Sequence, residues 1–305
     1  MVKKNGRQNR RQRYLCRACG HSFQSSRHLI KRQHQLWNQY VFKRQTLADL
    51  ADSFNLSTKH IRRELKRVPF KVPLVIASEI SQPVALVCDT TYFGCYGVMV
   101  WRCFNRRSNL LWHFVAEESV NQYMAGIKEL EAKGYTITSV TCDGHKGLLL
   151  ALTLAGYKAQ LCQFHMMKTV TKYLTSKPLL LAGQELRSIM LSLPRATQEI
   201  FFQQLNQWVS KWSEFLKEKT FNPETGRWQY THRRIRSAYH SLDYNRSYLF
   251  TFEKYVTLKI PKTTNTLDGT FSHLKQKVRI HRGLNLNTQR KMVETILAQP
   301  SKPIS

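Results

Sequence analysis

The chain has 305 residues, 42% of them hydrophobic, and its 48 Lys and Arg outnumber 19 Asp and Glu for a formal charge of +29. That apolar content can fill a core, which excludes a globally disordered chain, and apolar runs such as Leu148–Leu152 fall far short of the roughly 18 residues of a membrane span. The basic start Met1–Arg13 leads into no apolar stretch and does not read as a secretory signal, so the expectation is a soluble intracellular protein with a polyanionic partner, nucleic acid above all.

The excess charge is unevenly spread: residues 1–71 carry +15, residues 72–160 are neutral, residues 161–260 carry +8 and residues 261–305 carry +6. Within the basic front, Tyr14-Leu-Cys-Arg-Ala-Cys-Gly-His-Ser-Phe23 sets Cys16 and Cys19 at C-x-x-C spacing. Gly20 lets the chain turn so that backbone N–H groups point at the thiolates, which makes a knuckle supplying two of the four ligands of a structural zinc ion. No second C-x-x-C occurs, and His21, His28 and His34 fit no finger spacing. The basic run before Tyr14 reads as the hairpin in the middle of a zinc ribbon. Residues 1–35 are therefore expected to be a partial ribbon and basic arm whose first knuckle is absent; the alternative is two free cysteines in a basic arm.

Residues 36–68 read as a helix-turn-helix. Thr46 caps a short helix with Asp49 in its first turn and Leu47, Leu50, Ala51 and Phe54 along one face. Asn55 and Ser57 mark a turn. The second helix turns Ile61 and Leu65 inward and Lys59, His60, Arg62 and Arg63 outward, a cationic face suited to the major groove of double-stranded DNA. An ordinary helical hairpin is the alternative. Pro69 and Pro73 then predict a linker over residues 69–82.

From Pro83 the pattern becomes α/β. Strands are expected over 84–89, 97–104, 109–115, 136–143 and 157–162, with helices over 119–133 and 146–155. Strands one and four each end in an acid, Asp89 and Asp143. This βββαβαβ order over residues 83–169 resembles the ribonuclease H-like fold, a mixed sheet in which those two strands lie side by side. Two carboxylates so close repel each other, and divalent cations relieve the repulsion; Mg²⁺ suits all-oxygen ligands.

Three features give the resemblance a name. Asp89 and Asp143 lie 54 residues apart, Cys162-Gln-Phe-His165 follows 19 residues later, and Thr263-Thr-Asn-Thr-Leu-Asp-Gly-Thr-Phe-Ser-His-Leu-Lys-Gln-Lys-Val-Arg279 closes the pattern. Over residues 83–291 the chain resembles bacterial insertion-sequence DDE transposases of the Mutator-like superfamily. The resemblance implies that Asp268 is the third acid, standing where the family usually has Glu, and that Asp89, Asp143 and Asp268 hold two Mg²⁺ ions for DNA cleavage and strand transfer. Asn265 would cap the helix carrying Asp268, and Lys275, Lys277 and Arg279, with His273, His281 and Arg282, would hold phosphates along or beyond it. Cys162 and His165 either ligate a metal or pack a strand-to-helix junction.

Residues 170–258 are implied to be an all-helical insertion whose aromatics, Phe201, Phe202, Trp208, Trp212, Phe215, Trp228 and Tyr239 among them, form its core. Arg233, Arg234 and Arg236 would contact phosphates. Residues 259–305 return to the ribonuclease H-like core. Implied partners are the terminal inverted repeats of an element and target DNA, with no membrane and at least a dimer in the assembled complex; the implied location is cytoplasmic and nucleoid-associated, and the implied cofactors are Mg²⁺ and, at Cys16 and Cys19, Zn²⁺. The alternatives are a non-catalytic transposase-derived DNA-binding protein and a ribonuclease H-like nuclease or resolvase.

Overall fold

The computed structural model describes residues 1–8, 11–24, 27–43, 45–68, 83–281 and 283–299. The linker expected over 69–82 and the phosphate contact expected of Arg282 lie outside them. The described residues form two compact units, one of residues 1–68 and 273–299, the other of residues 83–272. None of the described helices is long and apolar enough to cross a membrane.

The first unit opens with a three-stranded antiparallel sheet, β1 (Val2–Gln8), β2 (Arg11–Cys16) and β3 (Ser22–Gln24). The Cys16–His21 turn closes it. Gly20, at φ +69°, sends its N–H back to the Cys16 carbonyl, and the Cys16 N–H donates to the His21 carbonyl, each at 2.9 Å. Tyr14 and Phe23 are cross-strand partners whose rings stack at 5.8 Å.

Helix α1 (Arg27–Phe42) follows. The sequence reading missed it: the helix runs across the boundary at 35/36. Leu36, Trp37, Tyr40 and Val41 bury one stripe of it. Helices α2 (Leu47–Phe54) and α3 (Thr58–Arg67) form the expected pair. Thr46 and Asp49 make a reciprocal capping box, Asn55 takes the left-handed conformation at φ 50°, and the Ser57 hydroxyl accepts from the His60 N–H to start α3. Leu50, Ala51, Ile61 and Leu65 are buried.

In the second unit β4 (Val84–Tyr92), β5 (Gly97–Cys103), β6 (Ser108–Val115), β7 (Ile137–Cys142) and β8 (Lys158–Leu161) form one mixed sheet in the order β6-β5-β4-β7-β8. β4, β5 and β6 are antiparallel; β4, β7 and β8 are parallel. The parallel strands need crossovers, and α4 (Val120–Ala132) and α5 (Leu148–Leu154) supply them. Gly126 of α4 lies so close to the Trp101 ring of β5 that an added Cβ would sit 2.1 Å from it.

A helical region follows: α6 (Gln163–Leu174), α7 (Leu181–Ser192), α8 (Gln198–Lys211) and the short α9 (Ser213–Lys217). It is not the all-helical insertion that the resemblance implied. The strands β9 (Lys219–Asn222) and β10 (Arg227–Tyr230) make a two-stranded hairpin before α10 (Arg233–Tyr244) and the short α11 (Thr251–Lys254). Phe201, Phe202 and Trp208 are core, but Trp228 is 67% exposed.

Helix α12 (Asn265–Ile280) begins in the second unit, and its residues from His273 onward belong to the first, together with α13 (Leu286–Leu297). The sequence division had kept all of 259–305 with the α/β core. Two lysines, one buried and one half-buried, account for the difference. Lys277, 4% exposed, donates to the Phe42 carbonyl at the end of α1 at 2.8 Å. Lys291 donates to the Leu65 and Val68 carbonyls at the end of α3. Each lysine sits at the negative end of a helix dipole and satisfies carbonyls that the helix itself leaves open.

Candidate metal centre

Strand register puts the first two acids together. Val87 of β4 lies opposite Thr141 of β7 in the parallel ladder. Asp89 and Asp143 are each two residues further along, and a period of two sends both side chains to one face. The intervening Cys88 and Cys142 face the other way, into the apolar core. Asp89 is 6% exposed, and its Oδ1 accepts from the Thr90 N–H at 2.8 Å. Asp143 Oδ1 accepts from the His145 N–H at 3.2 Å, and the positive φ of Gly144 turns the chain away just behind it.

The third acid arrives on a segment pinned by four hydrogen bonds. The Thr141 hydroxyl donates to the Pro261 carbonyl, the Gln163 N–H donates to the Lys262 carbonyl, and the Cys162 thiol sulfur accepts from both the N–H and the hydroxyl of Thr264. α12 then starts at Asn265, which is a helical residue and not the expected cap, and carries Asp268 in its first turn. Thr264 precedes it with its hydroxyl turned toward Cys162 and His165.

Asp89, Asp268 and His165 of α6 converge, each offering a ligand atom within 4.8 Å of the others. Asp143 does not join that group, although its charge acts on Asp89 and on His165. Burial, then the Asp143 charge, push the Asp89 carboxyl up to about 7, against the pull of His165. His165 is raised by its hydrogen bond with Cys162 and by the Asp89 and Asp143 charges. The Cys162 thiol is lowered by its hydrogen bonds to His165 and Thr264, which outweigh burial. Asp268 Oδ2 is buried and meets no hydrogen-bond donor among the described residues. A buried carboxylate oxygen without a donor is costly, and a divalent cation satisfies it.

The C-x-x-H pair thus divides. Cys162 is fully buried at the β8–α6 junction and belongs to no group of three candidate ligands among the described residues, whereas His165 joins the acids. Sequence reading overlooked Thr264, which ties Cys162 and His165 to the start of α12. It also overlooked the chain Glu118–Tyr123–Thr90, where the Tyr123 hydroxyl donates to Glu118 and meets the Thr90 hydroxyl at 3.1 Å, beside the Asp89 backbone. The only signal for Thr264 in the sequence is its place just before the third-acid helix.

At Cys16, hydrogen bonds from the Cys19 and Ala18 backbone lower the thiol pKa, favouring the thiolate that zinc binds. Among the described residues no third ligand joins Cys16 and Cys19. Of the residues expected to hold phosphates, Lys59, Arg62 and Arg63 are exposed on α3, with His60 half-buried and accepting from Arg63 at 3.1 Å. Lys275 and Arg279 are exposed on α12, but Lys277 is buried against α1, and so is His281, whose ring lies 4.0 Å from that of Tyr40. Arg234 donates to the Lys172 and Tyr173 carbonyls at the end of α6. Arg236 donates to the Leu216 carbonyl and lies 3.6 Å over the Tyr230 ring, while Arg233 is exposed and donates to Gln229.

No protein-family model matches the chain, and no curated protein matches it.

Proposed function

We propose that this chain is a DNA transposase with a ribonuclease H-like core, which binds the ends of its insertion sequence and catalyses metal-dependent cleavage and strand transfer. The observation that carries the reading is the setting of Asp89: a carboxyl on the central strand, almost wholly buried, with Asp143 in register beside it and Asp268 and His165 within reach. Folding alone gains nothing from a carboxyl buried beside three further ionisable groups.

The donor set fits a divalent cation: the Asp89 and Asp268 carboxylates converge, Asp143 stands at the end of the neighbouring strand, and an Asp268 oxygen has no donor among the described residues. Magnesium held by Asp89, Asp143 and Asp268 would supply activation of the attacking oxygen and stabilisation of the leaving one. The chain's own part is to aim and charge that site. The Thr90 and His145 N–H groups fix the two strand carboxylates, and Cys162 and Thr264 fix His165 and the start of α12. His165, with its raised pKa, offsets part of the acidic charge.

In the first unit the outward cations of α3, Lys59, Arg62 and Arg63, suit a duplex groove and its phosphates. At the acidic site water cleaves the phosphodiester, and the freed 3′-hydroxyl then attacks a phosphate of the target. Each displacement forms one P–O bond and breaks one; the attacking oxygen loses its proton to solvent and the leaving oxygen gains one. Joining two ends calls for at least a dimer. Zinc at Cys16 and Cys19 would serve the fold of the front sheet and not the reaction.

The test is a strand-transfer assay on duplex carrying the DNA that flanks this gene, with Mg²⁺ and a target plasmid. Joined products from the wild type, lost in Asp89→Asn while duplex binding persists, are expected. Cleavage without joining would favour the nuclease reading, and binding without cleavage the non-catalytic one.

A further inference from the structure

The β9–β10 hairpin shows on its surface what a folded protein ordinarily hides. Trp228 is 67% exposed, Phe221 46% and Tyr230 39%. The register pairs Trp228 with Phe221 and Tyr230 with Lys219, so all four side chains lie on one face. The Phe221 and Trp228 rings meet edge to face at 5.6 Å. The Tyr230 ring has the Arg236 guanidinium 3.6 Å away and the Lys219 ammonium 5.3 Å away.

These aromatics do not hold the hairpin together. Asn222 Oδ1 accepts from the Glu224 and Thr225 N–H groups in the turn, and Gly226 takes the positive φ that completes it. At the base, Thr220 and Thr231 share a hydroxyl hydrogen bond at 2.8 Å, and the Thr231 N–H donates to the Glu218 carbonyl. Phe221 and Trp228 are therefore displayed by a frame that stands without them.

Charge selects the occupant. Residues 211–236 hold seven Lys and Arg against three Glu, and Lys219 and Arg227 pair with no carboxylate among the described residues. An apolar protein partner would gain nothing from cations set beside the rings. A polyanion with flat, unpaired π-faces gains from both.

We propose that this hairpin is a stacking platform for unpaired DNA, with Trp228 and Phe221 receiving bases and Lys219, on the same face, receiving a flanking phosphate. The proposal rests on the reading of the chain as a DNA-processing enzyme, and assigns it a second contact with its substrate, separate from the acidic group.

The test uses the full chain and fluorescence anisotropy with labelled oligothymidylate, a blunt duplex of equal length and oligouridylate. Trp228→Ala is expected to weaken oligothymidylate binding about tenfold, the scale of one lost base–aromatic stack, and to leave duplex binding unchanged. Trp228→Phe, which keeps a ring, should recover part of the loss. Unchanged oligothymidylate binding in Trp228→Ala, or an equal loss on duplex, overturns the platform. Trp228-dependent binding that prefers oligouridylate overturns its assignment to DNA. A wild-type chain that binds neither duplex nor single strand overturns the platform and the proposed function together. Platform binding that behaves as expected, with no Mg²⁺-dependent cleavage by the wild type, removes the proposed function alone.

Discussion

Asp89→Asn should stabilise the metal-free protein, and the gain should depend on pH. Folding raises the Asp89 carboxyl from its ordinary 3.8 to about 7, through burial and then the Asp143 charge. A raised carboxyl folds best with its proton on. Its contribution is intact below pH 3.8 and is lost progressively as pH rises to about 7. At about 1.4 kcal/mol per unit of pKa, the loss amounts to about 4 kcal/mol once both limits are passed. Asparagine keeps the shape and an oxygen to accept from the Thr90 N–H, but carries no charge to bury. Urea denaturation of both proteins in EDTA should give a stability gap near zero at pH 4, widening to about 4 kcal/mol by pH 8 in favour of Asp89→Asn. Added Mg²⁺ or Mn²⁺ should narrow the gap by stabilising only the wild type. A gap that does not change with pH, or a variant less stable than wild type at pH 8, would refute the buried-charge argument.

Three further outcomes follow from other parts of the molecule. Lys291→Met should destabilise the full chain by about 2–3 kcal/mol in urea denaturation, because the Leu65 and Val68 carbonyls lose a shared charged donor; a neutral result would mean that water replaces the lysine. Gly126→Ala drives a methyl to 2.1 Å from the Trp101 ring. Its midpoint should fall by the equivalent of about 1–3 kcal/mol, with near-ultraviolet circular dichroism reporting the displaced indole; an unshifted midpoint contradicts the close approach. Arg62→Ala and Arg63→Ala, both on the exposed face of α3, should each lower the slope of log affinity for duplex against log salt by about one. A slope unchanged in both would take α3 out of the interface.

What the sequence made legible was local or periodic. The five strands and their order emerge from apolar runs broken by Gly and Pro, and the α2–α3 turn from Thr46, Asn55 and Ser57 acting at short range. Asp89 and Asp143 could be paired because the resemblance sets their two strands side by side, and in the structure those strands are parallel neighbours. Helix α1 was hidden because its apolar stripe is interrupted by a basic run, which reads as a solvated arm. Lys277 looked like a phosphate contact because lysines are seldom buried. Only the tertiary placement of α1 shows its ammonium answering the Phe42 carbonyl.

The hairpin had its own signal, Asn222-Pro-Glu-Thr-Gly226 between two short alternating runs, but its aromatics pointed to a helical core. The convergence of His165 with Asp89 and Asp268 depends on the hydrogen bonds that pin residues 261–264, contacts spanning about a hundred residues of sequence. No spacing rule reaches that far.

The measurement that bears most directly on the central claim is nicking of a supercoiled plasmid carrying the DNA that flanks this gene, followed across a Mg²⁺ titration. The wild type is expected to nick only with metal present, and Asp89→Asn, Asp143→Asn and Asp268→Asn should each abolish nicking while still binding the plasmid. Metal-independent nicking, or nicking that survives in Asp89→Asn, would contradict the assignment of the acidic site to phosphoryl transfer.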